Sequence, residues 1–542
     1  MKADLIIKSK NIFDSIQDKP FEGYVAVKDG RILSVGSNHE IMRGLIDEHT
    51  EIHDAEDRLV MPGFHDSHTH LTLAGMYKTY ANLGNAESEE EAAFMLKKFC
   101  DEHPSEGWIY GFNWYHVFWN IKNLPQKETL DKYFPDRPVL LINAEAHGAW
   151  VNSKALEEAG ITDSTPDPFG GEIKRNEKGE ATGFLYEAAM SLVVKYALVF
   201  SPEQEKEYLR KYMRDAARLG ITSVVDVQPY FGMELGSLDV YSGMENDGEL
   251  TVRITAAGDL LGNLDKAVEN SRKYRTDMLR AHMLKQFVDG VFTTHTALLF
   301  DDYSDNPGNR GAQLFELDKI ESAVYEAHRR GLSVKIHAIG DKAVNFVLNC
   351  YEKAISDFGN TGSRHAIEHA ELILRDDLER FKTLHIVPSI QPEHIGLMPT
   401  WDGEEYRVVL GEARANLTWP LKTLLEKAGL LAVGSDCPVV DNNPFYAIHR
   451  GITRLHDDGL PEGGWNPSEK LTLSQVLKGY TIGSAYGTGR ENELGTLEAD
   501  KFADIIVVNG NLFEMTPEEI RQAKVDVTIM NGKIIYNANK DF

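Results

Sequence analysis

The chain has 542 residues, with 57 Lys or Arg against 84 Asp or Glu, so its formal net charge is -27 at neutral pH. Such an acidic surface repels polyanions, which excludes nucleic acid and anionic membrane as expected partners. The length exceeds one ordinary core and predicts two or three domains, unless a large barrel absorbs most of the chain.

The cysteines and the first residues predict a cellular location. Cys100, Cys350 and Cys437 are far apart and odd in number, so no disulfide framework is implied and a reducing compartment is expected. Residues 1–8 lack the apolar core of a signal peptide, and no apolar run approaches the ~20 residues of a membrane helix. We therefore expect a cytoplasmic protein with a small-molecule substrate, and homo-oligomerisation is left open.

Both ends of the chain are rich in short β-type runs. Asp29-Gly30 and Asn531-Gly532 each separate two such runs, which is typical of a hairpin. Neither end has enough strands for a stable core by itself. We expect residues 1–60 and 484–542 to pair into one small β-sandwich, and two independent decorations are the alternative.

The segment from Val60 to Leu71 is predicted to be a strand that enters from a turn. Side chains alternate between the two faces of a strand, so His68 and His70 point the same way. Two imidazoles on one face are half of a metal site.

Residues 76–200 depart from any regular pattern, and we expect them to form a large, partly helical insertion above the site that His70 helps to form. Aromatic residues cluster within a dozen positions there, namely Trp108, Phe112, Trp114, Tyr115, Phe118 and Trp119. An ordinary core is one explanation for them. A wall that contacts an apolar or aryl group of the substrate is the other.

From residue 201 onwards, strand and helix patterns alternate. The strand that ends at His70 counts as the first of eight, and the others are predicted at 221–227, 250–256, 283–288, 332–338, 366–369, 386–391 and 430–434. Eight strands alternating with helices predict an α/β fold of the (β/α)8 TIM-barrel type over residues 61–483.

Possible metal ligands fall at the C-terminal ends of these strands, where barrels of this type place their active sites. His68 and His70 end the first strand. The later strands contribute Lys285, His337, His369 and Asp436. One histidine at a strand end is usually structural, but this coincidence in one barrel predicts a site for a divalent metal.

Lys285 is the unusual member, because a lysine buried in a strand is costly unless it is paired or neutral. A salt bridge, for example to Asp289, is the ordinary explanation. The alternative is a neutral amine that captures CO2 and becomes a carbamate bridging two metals. Lys335 competes for this role, but it lies deeper in its strand.

Further side chains are predicted to reach the mouth of the barrel and contact the substrate. They are His147, Trp114, His295, Gln391 and His394. Structural roles are the alternative for His147 and His394. Cys437 follows Asp436 but is set aside as a nucleophile, because a metal-activated hydroxide makes it redundant.

These motifs resemble the amidohydrolase superfamily. The resemblance comprises Pro62-Gly63-Phe64-x-Asp66-x-His68-x-His70, Lys285, His337-Ala338-Ile339-Gly340-Asp341, Ile367-Glu368-His369-Ala370 and Gly434-Ser435-Asp436. Asn152-Ser153-x-Ala155-Leu156 and Gly495-Thr496-Leu497-Glu498 are similar to the YtcJ-like group, amidohydrolase family 3, which includes N-substituted formamide deformylases.

The resemblance implies that His68, His70 and Asp436 hold one ion. It also implies that His337 and His369 hold a second ion, with carboxylated Lys285 as the bridge and Zn²⁺ as the expected metal. The implied activity is hydrolysis of a non-peptide C–N bond, amide or formamide-like, by a metal-activated hydroxide, with Asp436 as the catalytic acid–base. The stretch 289–295 departs from the Gly-Ser-Leu-Gly-Ser type of many members, so the substrate is not carried over.

Two other functions remain open. One is a mononuclear deaminase or cyclic-amide hydrolase on the same fold, which metal stoichiometry would distinguish. The other is a binding protein on a degenerate barrel, which the complete set of ligand types disfavours.

Overall fold

The structure is a computed structural model that describes residues 1–396 and 404–539. Within these ranges, both ends of the chain contribute to one eight-stranded sheet. Its strands are Leu5–Ile12, Phe21–Lys28, Arg31–Gly36, Glu51–Asp54, Leu59–Pro62, Ile505–Val508, Val525–Met530 and Lys533–Asn537. The two ends join where Ile505–Val508 pairs antiparallel with Leu59–Pro62. Buried side chains of both ends, such as Ile7 and Val527, form one hydrophobic cluster. The expected β domain built from both termini is therefore confirmed.

Parallel strands form the central barrel, and the described part of the chain contains all eight that were predicted. In order they are Phe64–Thr69, Ile221–Val227, Arg253–Asp259, Leu279–Phe287, Ser333–Ala338, Ala366–His369, Val387–Ile390 and Ala432–Val433. The ring closes where the backbone N–H of Asp436 donates to the carbonyl oxygen of His68 at 2.7 Å, and that of His70 to Cys437 at 2.9 Å. This arrangement confirms the (β/α)8 barrel.

Helices pack around these strands and around the β domain. Those after the insertion are Pro202–Leu219, Leu238–Asn246, Leu264–Lys273, Leu317–Arg329, Asp341–Phe358, Leu378–Thr383, Glu404–Leu410, Glu412–Ala415, Leu421–Ala428, Pro444–Thr453, Leu473–Lys478, Ser484–Gly487 and Pro517–Arg521, and His39–Gly44 lies in the N-terminal part. The first of them starts with a capping box between Ser201 and Gln204 and ends at left-handed Gly220. Across the described residues, each helix is too short or too polar to cross a membrane.

The segment between barrel strands one and two contains a six-stranded sheet in the described ranges, where we had expected irregular, partly helical structure. Its strands are Ala81–Asn82, Ile109–Trp114, Val139–Asn143, Gly148–Val151, Gly171–Arg175 and Ala181–Glu187, and its helices are Leu71–Tyr77, Glu89–Glu102, Lys127–Asp131, Ser153–Ala159 and Ser191–Ala197. Several strands are buried on both faces, so they lack the alternation that identifies a strand in sequence.

Candidate active site

A cavity of about 610 Å³ opens at the C-terminal ends of the barrel strands. The strands contribute His68, His70, His337, His369 and Asp436 to its lining. The insertion contributes polar and apolar side chains from the other side, among them Glu145, His147 and Phe169. The cavity thus brings together most of the ligand types that the sequence placed at strand ends.

Imidazoles of four histidines approach the carboxylate of Asp436 in the described part of the site. Nε2 of His70 and of His68 lie 3.2 and 3.3 Å from Oδ1, and Nε2 of His394 and of His369 lie 3.6 and 3.9 Å from Oδ2. Asp436 therefore belongs to two overlapping groups, one with His68 and His70 and one with His369 and His394, and the ligand atoms of each group lie within 4.8 Å of one another. Nitrogen and oxygen donors at this spacing fit a divalent ion such as Zn²⁺.

The second ring nitrogens of His68 and His70 have fixed partners. Nδ1 of His68 lies 2.5 Å from Oε2 of Glu368, and Nδ1 of His70 lies 2.8 Å from the carbonyl oxygen of Val227. A proton on each Nδ1 leaves the Nε2 lone pair for a metal, which is the usual orientation of ligating histidines.

Two buried polar atoms that face the ligand groups have no hydrogen-bond partner among the described residues. They are Nε2 of His394 and Oδ1 of Asp436. Buried polar groups are almost always satisfied, so each of these atoms requires an explanation. A bound cation satisfies such atoms, and the residues present therefore fit the metal.

The electrostatics agree with that fit. Burial alone would raise the pKa of Asp436, but His68, His70 and the other surrounding imidazoles outweigh it and hold that pKa well below its usual range. Burial lowers the pKa of His394 to about 4 and that of His369 well below normal. At neutral pH Asp436 is therefore a carboxylate, and His369 and His394 are neutral imidazoles, which are the protonation states that bind metal.

Glu368 connects the first histidine to a buried lysine. Its Oε1 lies 2.9 Å from Nζ of Lys335, which also donates to the carbonyl oxygen of Ser67 at 2.7 Å. Burial alone would raise the pKa of Glu368, but Lys335 and His68 outweigh it and keep the group ionised. We did not predict this residue from sequence, although a glutamate inside a four-residue buried strand was the available signal.

Lys285 has no such partner. Its side chain is 0% exposed, and its Nζ makes no hydrogen bond among the described residues and lies 4.5 Å from the ring centroid of Phe287. Burial lowers its pKa to about 8. The salt bridge to Asp289, the ordinary alternative to a carbamate, is absent from the described chain, because that carboxylate accepts backbone N–H groups of Leu298, Ile339 and Gly340.

The second ligand group differs from the expected pair of His337 and His369. His337 lies beside His369, with ring centroids 4.5 Å apart, but its Nε2 is 3.4 Å from the carbonyl oxygen of Gly290. His394, which we predicted as a substrate contact, takes the position beside Asp436. A short helical turn, Pro392–Gly396, carries it there, and this turn was not visible in the sequence pattern.

Among the five predicted substrate contacts, His147 and His394 line the cavity. The other three do not. Trp114 is buried in the insertion core and donates to the carbonyl oxygen of Leu141, Gln391 is buried with Nε2 3.3 Å from Glu368, and His295 pairs with Asp305 at 2.9 Å. An aromatic cluster or a loop position alone does not show which face a side chain takes.

Cys437 follows the central carboxylate but is not activated. Its side chain is buried, and burial raises the pKa of the thiol well above its usual value. A thiol in this state is a poor nucleophile. The expectation that Cys437 plays no nucleophilic part is consistent with this environment.

A (β/α)8 barrel that gathers histidines and one carboxylate at its C-terminal mouth defines a metal-dependent hydrolase. The model of the Amidohydrolase family matches residues 51–536, and the chain belongs to that family. The resemblance seen in the motifs is thereby confirmed. The chain is a metal-dependent amidohydrolase that acts on non-peptide C–N bonds.

Relatives align over nearly the whole chain. Protein LONG AFTER FAR-RED 3 of Arabidopsis thaliana is 32% identical over 547 residues, covering 98% of this chain and 92% of the relative. N-substituted formamide deformylase of Arthrobacter pascens is 27% identical over 549 residues, covering 98% of each chain. The crystal structure of an uncharacterized metal-dependent hydrolase from Pyrococcus horikoshii superposes with a TM-score of 0.77 at 24% identity, covering 95% of this chain and 99% of that one.

Proposed function

We propose that the chain hydrolyses an amide or formamide bond of a small molecule, using Zn²⁺ bound at the mouth of the barrel. The observation that carries this proposal is the carboxylate of Asp436 inside a ring of imidazoles at the cavity. His68 and His70 would hold one ion together with Asp436. His369 would hold a second ion with His394 or His337, and carboxylated Lys285 would bridge the two.

Lys285 suits the bridging role better than Lys335. A neutral amine captures CO2, whereas an ammonium does not, and burial lowers the pKa of Lys285 to about 8. The amine of Lys335 is ion-paired with Glu368 instead. The lowered pKa of Lys285 and its amine, which has no hydrogen-bond partner among the described residues, support the choice of Lys285.

A divalent ion at this position would polarise the carbonyl group and lower the pKa of a water toward ~7. Asp436 is a carboxylate at neutral pH, so one of its oxygens takes a proton from the attacking water and returns it to the departing nitrogen. His147 faces the cavity from the insertion and donates a hydrogen bond to the developing oxyanion.

The walls of the cavity suit a substrate with an apolar group. Phe231, Phe287 and Val291 line it beside the ligand residues. Such side chains exclude water and bury an alkyl or aryl substituent on the amide nitrogen. The similarity to an N-substituted formamide deformylase supports the same class of substrate.

An amine-release screen tests the proposal. Zinc-loaded protein is incubated with N-formyl and N-acyl derivatives of alkyl and aryl amines, and free amine is measured. We expect release that follows the zinc content and that is lost when His68 and His70 are both replaced by Asn. Fully loaded protein that releases no amine would refute the amide assignment, and ammonia release from cyclic amidines at one ion per chain would favour a mononuclear deaminase.

We also propose that the protein is cytoplasmic. Its three cysteines are free, with Cys350 and Cys437 buried. Free thiols are typical of a reducing compartment. Fractionation of the source cells, with the chain found only in the membrane or secreted fraction, would contradict this location.

A further inference from the structure

A histidine–carboxylate pair from the insertion lies beside the ligand residues. The ring centroid of His147 is 6.3 Å from that of His337, and His147 lines the cavity. Its Nδ1 lies 2.7 Å from Oε2 of Glu187, whose side chain is only 5% exposed. Because Nδ1 is held, Nε2 is the ring nitrogen available to a molecule in the cavity.

Glu187 occupies a strained backbone position. Its φ of 46° and ψ of -127° lie in a region that side chains other than glycine rarely adopt. Its backbone N–H donates to the carbonyl oxygen of His147 at 3.1 Å. Strain of this kind persists only where the surrounding contacts maintain it, and it is enriched at functional sites.

The second oxygen of Glu187 reaches the barrel. Oε1 accepts a hydrogen bond from Oγ1 of Thr296 at 3.3 Å, in the loop that follows barrel strand four. Both carboxylate oxygens are therefore engaged, one with the histidine and one with the loop. A carboxylate held at both oxygens has a fixed orientation, and it transfers that orientation to the imidazole.

We infer that Glu187 is a positioning residue for the hydrolysis proposed above: it accepts the Nδ1–H of His147 and fixes the ring so that Nε2 faces the carbonyl oxygen of the bound amide. A carboxylate on the far nitrogen orients the ring and favours the imidazolium form, which carries a proton on both nitrogens. In that form Nε2–H is a charged donor, which binds an oxyanion about twice as strongly as a neutral donor does. Glu187 acts only through His147 and does not itself touch the substrate.

A purely structural tie is the competing explanation. In that case Glu187 would serve only to hold the insertion against the loop of Thr296. The two explanations differ in what the negative charge does. Glutamine keeps the shape and can accept the Nδ1 hydrogen bond, but it removes the charge that favours the imidazolium form.

A double-mutant cycle tests the inference. We expect Glu187→Gln to lower kcat at least about 10-fold with KM changed less than about 3-fold, because the interaction is made in the transition state. His147→Gln should lower kcat by at least as much. The double variant should be no worse than His147→Gln alone, since Glu187 has no role without its partner. Additive losses would overturn the inference.

Histidine ¹⁵N spectra of the zinc-loaded protein supply a readout that is independent of turnover. Resonances that are missing from His147→Gln identify the ring. In the parent we expect both ring nitrogens to be protonated, and in Glu187→Gln we expect the nitrogen shifts to move toward those of a neutral ring. Unchanged His147 resonances in Glu187→Gln would overturn the inference even if every formamide were inert, so this result is separate from failure of the proposed function.

A matched control uses the same substitution in the same insertion. Glu90 accepts hydrogen bonds from Lys132 and Tyr133 at the surface. Glu90→Gln removes the same charge far from His147, and we expect kcat and the His147 resonances to stay as in the parent. Losses as large as those of Glu187→Gln would show that a general change of charge is responsible, which also overturns the inference.

Discussion

Two lysines in neighbouring barrel strands lie opposite each other in register, yet their environments differ. Lys335 is ion-paired with Glu368 and bonded to a backbone carbonyl, whereas the amine of Lys285 has no hydrogen-bond partner among the described residues. An ammonium without a partner in a buried site is costly, so burial lowers the pKa of Lys285 to about 8. Two lysines in register on neighbouring strands thus differ in their hydrogen-bond and ion-pair partners.

Metal content tests the role of Lys285. We expect Lys285→Ala to reduce bound zinc from about two ions per chain to about one, because the bridging ligand is lost while the histidines remain. Loading in the presence of bicarbonate should raise zinc content in the parent but not in the variant. Elemental analysis after gel filtration measures both.

Lys285→Glu is the matched control, because it supplies a carboxylate where the carbamate would lie. We expect it to recover part of the second ion without any dependence on bicarbonate. If Lys285→Ala keeps the metal content of the parent, Lys285 is not needed to bind the second ion. The histidines of the second group and Asp436 would then hold that ion without it.

A pair of buried histidines away from the cavity makes the stability of the folded protein depend on pH. Nδ1 of His365 accepts the backbone N–H of Val334, its Nε2 lies 2.9 Å from Nδ1 of His328, and Nε2 of His328 lies 3.0 Å from the carbonyl oxygen of Gly359. Two neutral rings satisfy this chain completely. Burial lowers the pKa of His365 to about 3, with the neighbouring His328 as a smaller cause.

The sign of the effect follows from the unfolded state, where a histidine has a pKa of about 6.5. Below that pH the unfolded chain takes up a proton that folded His365 refuses, so stability falls as the pH falls from about 6.5 toward about 3. We expect the stability advantage of the parent over His365→Phe to shrink by about 1.4 kcal/mol per pH unit in the acid range. Urea denaturation at a series of pH values measures it, and a constant advantage would contradict it.

Several residues of the site could be predicted from sequence, because the C-terminal ends of barrel strands lie on one face of the barrel. The positions of His68, His70 and Asp436 followed directly from the predicted strand ends. The position of His394 beside Asp436 was not predictable, because a helical turn and the left-handed backbone of His369, with φ of 69°, decide which rings meet Asp436. Glu368 and Glu187 were not predicted, because their partners are distant in sequence.

The first and last barrel strands are held together by a polar bridge at the level of the site. Oδ1 of Asp66 accepts the backbone N–H groups of His68 and Ser435, and Oδ2 accepts the hydroxyl of Ser435 at 2.5 Å. This bridge places the strand that carries His68 against the strand that delivers Asp436. Closure of the barrel and assembly of the metal site are therefore the same structural event.

Gly434 makes that approach possible. A Cβ added at Gly434 would lie 2.6 Å from the backbone nitrogen of His68 and 2.9 Å from Oδ1 of Asp66. We expect Gly434→Ala to push the two strands apart, to destabilise the protein by about 1–3 kcal/mol through overpacking, and to lower zinc affinity. Zinc titration and urea denaturation measure the two effects.

Gly243 offers the same substitution without the clash. It lies in the helix Leu238–Asn246, and among the described residues no heavy atom outside its chain neighbours and its own helix backbone lies within 4 Å of its added Cβ. Gly243→Ala should leave zinc affinity unchanged and stabilise the helix by up to about 1 kcal/mol. Parent-like zinc affinity in Gly434→Ala would show that the close approach of strands one and eight is dispensable.

The strands of the barrel could be predicted because strand and helix alternate regularly in the sequence from residue 201 onward. The strands of the insertion could not be predicted, although they form an equally regular sheet. Its strand Val139–Asn143 is buried along its whole length. In Ile109–Trp114 the register shifts between Phe112 and Trp114, so Phe112 packs in one hydrophobic cluster and Trp114 in another. A short run that is apolar throughout is compatible with strand or helix, so only the tertiary structure decides.

At the scale of the whole molecule, the β domain built from both ends of the chain contacts the barrel at the start of strand three. Asp504, just before the first C-terminal strand, forms a bidentate ion pair with Arg253 of barrel strand three, at 2.6 and 3.0 Å. The arginine side chain is 1% exposed and that of Asp504 is 5% exposed. Asn531 bonds both partners, and the guanidinium lies 3.9 Å from the ring centroid of Phe502.

This ion pair gives a test of how the β domain contributes to stability. Removing one partner of a buried pair leaves an uncompensated charge, so we expect Asp504→Ala to cost about 3–5 kcal/mol. Arg210 and Glu249 form a bidentate pair of similar geometry, at 2.8 and 3.2 Å, but their side chains are 42% and 33% exposed. Water screens that pair, so Glu249→Ala should cost less than about 1 kcal/mol. Urea denaturation of both variants measures the contrast, and equal losses would mean that the β domain and the barrel do not depend on the buried pair for their association.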